Sequence, residues 1–293
     1  MLGKGEKRLV AAYSAAHFAV DLCCAMLVLP AARAASDKAM ALLIYNFCAF
    51  ARQMPLGLWA DSLDRNGMLA AAGCGLTAAA FLLPASLVAA VVAGVGNALF
   101  HLGGGIDVLN ASGEKAAALG IFVSPGAVGL YVGTLWGGEA AVSALLPPAG
   151  LLALGGGILL LCRRTFGSLR SGNAPVEAEP AGGSWLPLIP LFLVVVLRSW
   201  MGLGQSFPWK AEWSLSLVAA LALGKAAGGF LMDAVGPRRA AGWSLGLAAV
   251  LYLFSGDPIP GIFAVFPFNM TTPMTLWAAA KIPIGRASCW VKG

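Results

Sequence analysis

Charged residues are scarce in this sequence. Only 11% of its 293 residues are Asp, Glu, Lys or Arg, whereas soluble globular domains contain about a quarter. Hydrophobic residues make up 59% of the chain, so a soluble fold would have too few charges to cover its apolar surface. This composition excludes an ordinary soluble domain and indicates a protein that lies mostly in lipid.

Residues suited to catalysis and metal binding are also few. The chain has two histidines, and its six cysteines show no paired metal-ligand spacing. We therefore expect no enzyme, no cofactor and no metal. The net charge is +6, but the basic residues lie at the ends of apolar runs and form no stripe. No nucleic-acid partner is expected from such a pattern.

Ten apolar runs dominate what remains. A bilayer core needs about 20 mainly apolar residues per helix, and these runs are far longer than the strands of a membrane barrel. Gly129, Gly133 and Gly137 in the fifth run form a small-residue seam for close helix packing. The sequence predicts an all-α, multi-pass helix bundle with spans at 9–30, 38–60, 67–84, 86–109, 116–137, 140–162, 185–207, 211–233, 239–254 and 258–280.

Basic residues are unevenly divided between the two ends of these spans. With alternating sides, thirteen Lys and Arg fall on one side and three on the other, which predicts that both termini are cytoplasmic and that the bundle lies in the cytoplasmic membrane. The polar stretch 163–184 lacks periodicity and predicts a flexible cytoplasmic linker. It divides the chain into a six-helix half (1–162) and a half with four helices (185–293).

A short motif recurs at the end of the second span of each half. Each copy has glycine, a carboxylate four residues later, and then arginine; the residues are Gly57, Asp61 and Arg65 in the first copy, and Gly229, Asp233, Arg238 and Arg239 in the second. Glycine permits tight helix contact, and a carboxylate paired with arginine could act as a latch between two states. We interpret both copies as cytoplasmic gate motifs.

This repeat resembles the loop motif of the major facilitator superfamily of transporters. The second copy fits well, whereas the first has Ser62 and Asp64 where a basic residue and glycine are usual. The stretch 120–129 resembles a fifth-helix motif of antiporters, and His17, Asp21, Asn97 and His101 resemble a pattern in fosmidomycin-resistance-type members. The resemblance implies an alternating-access transporter with twelve helices, so we expect this chain to lack the last two. The direction of transport stays open.

Polar side chains inside the spans form the candidate site. Tyr13, His17 and Asp21 are four residues apart and share one helix face. Measured from the predicted cytoplasmic ends, the ionisable groups lie about 12–20 Å deep at ~1.5 Å per residue, which predicts a single layer near the midplane. Asp107, near a span end, is expected to be solvated. The predicted substrate cavity comprises Tyr13, Tyr45, Arg52, Asn97, His101, Arg198, Gln205, Lys225 and Asn269.

The charges in this layer predict what it binds. Three cations, Arg52, Arg198 and Lys225, accompany one carboxylate, Asp21. An excess of positive charge in a low-dielectric cavity favours a small anionic or acid-bearing solute. His17 and Asp21 are predicted to carry a coupling proton. The alternative is that these groups only pair with each other, in a membrane scaffold or sensor that moves no solute.

Overall fold

The computed structural model describes most of the chain, and all regular structure in the described residues is helical. These residues are 3–34, 38–51, 53, 56, 60, 63, 65–84, 87–113, 115–137, 146–166, 186, 188–204 and 206–280. Arg52, Gly57, Asp61 and Gln205 lie outside them, as do residues 167–184 of the predicted linker and the tail from 281.

Ten helices follow one another in the described residues, in the order of the ten predicted spans. Helix α2 continues as a π-helical turn at Phe47–Ala51, and α3 as a 3₁₀ turn at Ala80–Leu82. The all-α prediction is confirmed. The helices are α1 Lys4–Ala34, α2 Lys38–Asn46, α3 Asn66–Ala79, α4 Leu87–Ser112, α5 Ala117–Trp136, α6 Leu146–Phe166, α7 Leu188–Gly204, α8 Ser214–Val235, α9 Pro237–Tyr252 and α10 Pro258–Ala280.

Several helices are long and apolar enough to cross a membrane. Five of the described helices meet this condition: Lys4–Val28, Leu87–Ser112, Ala117–Trp136, Leu146–Thr165 and Ser214–Val235. Two shorter apolar helices occur at Met40–Phe50 and Asn66–Leu82. Large apolar side chains on the outside of the bundle, such as Trp200 and Leu253, are exposed. An apolar exterior is expected where lipid rather than water surrounds a protein.

The junction between α8 and α9 shows how local sequence ends one helix and begins the next. Gly236 has a φ of 85°, which glycine adopts without steric cost. Pro237 then occupies the first turn of α9, where its fixed φ suits a helix and its missing N–H costs nothing. A single residue, Gly236, therefore connects the two helices.

Glycines allow the first six helices to pack closely around α1. A Cβ at Gly129 or Gly133 of α5 would collide with the α1 backbone at Phe18 or Leu22, respectively. This confirms the small-residue contact predicted for α5 at these two positions. The main hydrophobic core lies among these helices and is centred on buried side chains that include Tyr13, Phe100, Phe122, Leu151 and Ile158.

The later helices pack in the same manner and meet the first group through α5 and α8. Gly228 of α8 lies against the α10 backbone at Met270. Between the groups, Ser124 Oγ donates a hydrogen bond to the carbonyl oxygen of Ala222 at 2.8 Å, and the hydroxyls of Tyr131 and Ser214 are 3.2 Å apart. The α5–α8 contact thus continues along much of both helices.

Candidate functional site

A cavity of about 330 Å³ lies between α1, α2, α4, α5, α8 and α10. Four of the predicted site residues line it: His17 and Asp21 from α1, His101 from α4 and Lys225 from α8. The remaining lining residues among those described are Phe50, Gln53, Gly105, Leu109, Leu119, Phe122, Val123, Thr272 and Leu276. The cavity is therefore mostly apolar, with its ionisable groups drawn from both groups of helices.

His17, Asp21 and His101 form a compact cluster on one side of this cavity. One helical turn separates His17 from Asp21, and His17 Nε2 lies 3.3 Å from Asp21 Oδ2. His101 Nε2 approaches His17 Nε2 to 2.9 Å, and the two rings are nearly perpendicular, with an interplanar angle of 84°. Two helices that are distant in sequence thus bring three ligand-type side chains together.

Backbone carbonyls fix the orientation of both imidazole rings. His17 Nδ1 is 2.8 Å from the carbonyl oxygen of Phe122, and His101 Nδ1 is 2.9 Å from that of Asn97. A carbonyl oxygen only accepts hydrogen bonds, so each Nδ1 must carry a hydrogen and donate it. In the neutral rings both Nε2 atoms then present lone pairs to each other and to Asp21.

Asn97 holds the third member of the cluster. Its Nδ2 donates a hydrogen bond to Asp21 Oδ1 at 3.1 Å, which leaves Oδ2 directed to His17. Asn97 itself is buried, at 1% exposure. Three hydrogen-bond acceptors, two Nε2 atoms and one carboxylate oxygen, therefore converge, and a proton or another cation placed among them would contact all three.

Small and aromatic neighbours shape the space around the cluster. A Cβ at Gly126 would collide with the side chains of both His17 and Asp21, so glycine is required for this approach of α5. The rings of Phe122 and Phe100 lie 4.8 and 5.9 Å from the His17 ring, between centroids. These apolar walls lower the local dielectric and strengthen electrostatic interactions in the cluster.

The cluster also has the composition of a metal site. His17, Asp21 and His101 each offer one ligand atom, and these atoms all lie within 4.8 Å of one another. We predicted no metal because the sequence shows no ligand spacing. This group has no sequence signature, since its members come from α1 and α4 and meet only in the folded bundle.

Cationic side chains complete the surroundings of the cavity, and Lys225 is close enough to Asp21 and His101 to interact electrostatically with both. Lys225 lines it directly. Arg198 of α7 donates hydrogen bonds to the carbonyl oxygen of Phe268 at 3.2 Å and to Thr272 Oγ1 at 2.5 Å, and a further one to the Thr271 hydroxyl. Thr272 lines the cavity, so Arg198 lies behind the cavity wall and contacts the cavity through Thr272.

Three residues predicted for the cavity have other surroundings. The Tyr13 hydroxyl donates to Asp107 Oδ2 at 2.5 Å, in a buried cluster away from the lining. Tyr45 packs against the main hydrophobic core. Asn269 donates to the carbonyl oxygen of Val265 in its own helix at 2.9 Å. Asn97 contacts the cavity through two of its lining residues, Asp21 and His101.

Asp107 differs from its predicted surroundings. We expected it to be solvated because it lies near a span end, but it is 0% exposed. Tyr13 and Cys162 from neighbouring helices both contact its Oδ2, Cys162 Sγ at 3.6 Å. Long-range packing of α1, α4 and α6, which the local sequence does not encode, buries this carboxylate.

The second gate motif links two helices at the predicted cytoplasmic end. Asp233 accepts hydrogen bonds from the backbone nitrogens of Ala116 at 2.7 Å and Ala117 at 3.1 Å, which caps the first turn of α5. Gly229 lies where a Cβ would collide with the Ala116 carbonyl. We expected Asp233 to pair with arginine; instead, its carboxylate binds the N-terminus of a helix in the other group.

The arginines of the gate motifs lie at the surface. Arg238 and Arg239, at the start of α9, are exposed, as is Arg65, just before α3. None of the three forms an ion pair with another described residue. Their roles in a gate therefore remain a prediction.

Most lining residues were not predicted from the sequence, and Gln53 and Phe50 are two of them. Gln53 and Phe50 lie on the segment that follows α2 and contribute an amide and a ring to the lining. A neutral glutamine beside Arg52 within an apolar run was the available signal. Of this pair, Arg52 alone was predicted to line the cavity.

Comparisons with known proteins show similarity in structure but not in sequence. No protein-family model and no curated protein matches this chain. A major facilitator superfamily (MFS) transporter, FucP, in its outward conformation superposes with a TM-score of 0.64 at 13% identity, covering 99% of this chain and 89% of that one.

Two further solved structures are similar. One is an E. coli fucose:proton symporter, FucP, in a variant form, with a TM-score of 0.61, 14% identity and coverage of 99% and 88%. The other is an outward-facing bacterial homologue of the iron transporter ferroportin, with a TM-score of 0.64, 15% identity and coverage of 99% and 88%. These likenesses show that the chain has the fold of MFS transporters.

Proposed function

We propose that this chain, which has the major facilitator fold, is a secondary active transporter that moves a small anionic or acid-bearing solute across the membrane by alternating access, coupled to protons. The solute would bind in the cavity between the two groups of helices. The observation that carries this proposal is the group of ionisable side chains, His17, Asp21, His101 and Lys225, around one cavity in an apolar bundle.

Burial of such groups in a membrane bundle favours a functional role. Ionisable side chains within spans are expensive and typically face a cavity or a partner. In transporters with repeated halves, substrate and ion sites lie near the bilayer midplane between the repeats. A scaffold requires no cavity lined by both acceptors and cations, whereas a transporter requires a site that both sides of the membrane can reach.

The cationic side of the cavity supports an acidic solute. Lys225 faces the cavity, and Arg198 lies behind Thr272. A carboxylate or phosphonate placed against Lys225 would gain a charge-assisted hydrogen bond, which is stronger than a neutral one. The apolar lining, including Phe50, Leu119 and Leu276, would contact the uncharged part of the solute.

The acceptor side of the cavity supports coupling to a cation, and we propose a proton. One proton placed between the Nε2 atoms of His17 and His101 would satisfy two of the three converging acceptors. Asp21 would stabilise the resulting positive charge. Movement of the helices that separated α1 from α4 would remove this arrangement and release the proton, which links its binding to the conformational state.

Contacts at the predicted cytoplasmic end support a gating role for Asp233. Its carboxylate joins α8 to the N-terminus of α5, where the helix dipole favours negative charge. Opening of the cavity at this end would require that these hydrogen bonds break. One of the structural neighbours is described as a proton symporter and two as outward-facing, which agrees with both parts of the proposal.

Proton movement in reconstituted vesicles would test this function. Purified protein is placed in liposomes that contain a pH-sensitive dye, and a panel of small carboxylates, phosphonates, neutral sugars and amines is added outside in turn. We expect an acidic solute to change the internal pH, and we expect Asp21→Asn to abolish the change. A response to amines or sugars alone would contradict the assignment of the solute. No response to any solute by folded protein would favour the scaffold.

A further inference from the structure

We propose that His17, Asp21 and His101 form a binding site for a divalent transition-metal ion. The site shares its residues with the proposed proton site, but it does not depend on transport, because metal binding is an equilibrium property of the folded chain. The three acceptor atoms already have the arrangement of a ligand set.

The distances between these atoms fit a metal coordination sphere. Zinc binds nitrogen and oxygen ligands at about 2.0–2.1 Å in tetrahedral geometry, so neighbouring ligands lie about 3.3 Å apart. His17 Nε2 is 3.3 Å from Asp21 Oδ2 and 2.9 Å from His101 Nε2. Small rotations of the side chains would admit an ion, because the required change in the shorter distance is a few tenths of an ångström.

Each ligand has the second hydrogen bond that metal-binding side chains usually make. Histidines that bind metals nearly always donate the other ring N–H to a carbonyl or carboxylate, which fixes the tautomer and the direction of the lone pair. His17 has the Phe122 carbonyl and His101 has the Asn97 carbonyl as this partner. Asp21 is held by the amide of Asn97.

The identity of the ligands indicates the class of metal. Two imidazoles and one carboxylate suit zinc and the neighbouring first-row ions, whereas Mg²⁺ and Ca²⁺ prefer oxygen ligands alone. All three side chains also line the cavity. A metal held by three protein ligands keeps a coordination position for a further ligand, and here that ligand would come from the cavity.

Lys225 carries a positive charge and would repel a metal ion bound in this cavity. It lines the same space as the three ligands, and Arg198 lies behind Thr272. Repulsion from Lys225 would weaken metal binding, and an anion bound between Lys225 and the metal would relieve it. We therefore expect Lys225→Gln to bind the metal more tightly than the parent chain does.

Cobalt binding to the full chain tests the proposal directly. The protein is purified in detergent without a histidine tag, and the visible absorption of Co²⁺ is followed on titration, with Zn²⁺ as competitor. Both histidines of the sequence belong to this site, so a histidine-dependent signal reports on it alone. We expect one Co²⁺ per chain, displaced by Zn²⁺, and an affinity at least tenfold lower in His17→Gln and in His101→Gln.

Controls separate loss of the site from loss of the fold. Cys24→Ser changes the thiol that lies 3.8 Å from Asn97 Nδ2, and it should keep the parent affinity. Thermal unfolding without metal identifies any variant that no longer folds, and tighter binding by Lys225→Gln provides a gain that misfolding cannot mimic. Absence of Co²⁺ binding by the folded parent chain, or an affinity unchanged in both histidine variants, would overturn the proposal.

Different experimental results would contradict the proposed metal site and the proposed transport function. Proton flux is measured in the presence of a chelator, which removes metal but leaves the solute and the gradient. Histidine-dependent Co²⁺ binding supports the metal site even if no solute drives flux. Flux that persists with chelator, in a chain that does not bind Co²⁺, keeps the transporter and removes the metal site.

Discussion

The two groups of helices contribute different side chains to the cavity and hold them differently. The acceptor side consists of His17, Asp21 and His101 from α1 and α4, which converge as hydrogen-bond acceptors and are fixed by backbone carbonyls and by Asn97. The cationic side consists of Lys225 from α8, with Arg198 of α7 behind the cavity wall and bonded to Thr271 and Thr272.

We infer from this difference that the two groups of helices bind different partners. The acceptor side presents three acceptors held by the Phe122 and Asn97 carbonyls and the Asn97 amide, so it is suited to bind a proton or a metal ion. The cationic side is suited to bind an anion. A cavity that holds both partners at once would couple their binding, since each partner reduces the electrostatic cost of the other.

The largest loss of transport is expected for a substitution that fills the space around His17 and Asp21. Gly126→Leu would place a side chain in the space of His17 and Asp21, and overpacking of this kind typically costs about 1–3 kcal/mol. We expect solute-driven proton flux to fall at least tenfold. The matched control is Gly150→Leu, because a Cβ at Gly150 has nothing within 4 Å and should leave flux unchanged. Equal losses in both variants would contradict the assignment.

The cationic side can be tested with Lys225→Gln. Hydrogen bonds to charged groups contribute about 1.5–3 kcal/mol, so we expect the KM for an acidic solute to rise roughly tenfold or more. Lys7→Gln removes an exposed lysine outside the cavity and should not change KM. A KM that stays constant in Lys225→Gln would place the solute elsewhere and remove the contrast between the two sides.

A smaller effect is expected where the two groups of helices are joined by Asp233. Asp233→Ala removes the cap of α5, and loss of a helix cap costs about 0.5–2 kcal/mol. The free energy of unfolding in detergent should fall by about 1 kcal/mol. Glu212→Ala, which removes an exposed carboxylate on a loop, should have no measurable effect. If both variants were equally stable, the cap would not join the helices.

The helices of this fold could be predicted from the sequence, because hydrophobicity and length are local properties. Each of the ten apolar runs overlaps one described helix. Gly129 and Gly133 also identified the contact of α5 correctly, since small residues at a spacing of four mark one face of a helix. The contact between α5 and α8 could not be predicted from the sequence, because it depends on how the two groups of helices meet.

The candidate site was only partly predictable. Helical spacing placed His17 and Asp21 on one face, and similar depth associated them with His101 and Lys225. Depth alone does not fix the direction of a side chain, however, and Tyr13 faces the buried Asp107 instead of the cavity. The carbonyl partners that orient the two histidines are backbone atoms of Phe122 and Asn97, and no sequence pattern marks them.

The most direct measurement of the central proposal compares two modes of transport in Asp21→Asn. Counterflow exchanges labelled for unlabelled solute without a proton gradient, whereas gradient-driven uptake requires coupling. If Asp21 holds the coupling proton with His17 and His101, counterflow should persist near the parent rate while gradient-driven uptake falls at least tenfold. Gradient-driven uptake that equals that of the parent chain, or an equal loss of both modes, would contradict the account.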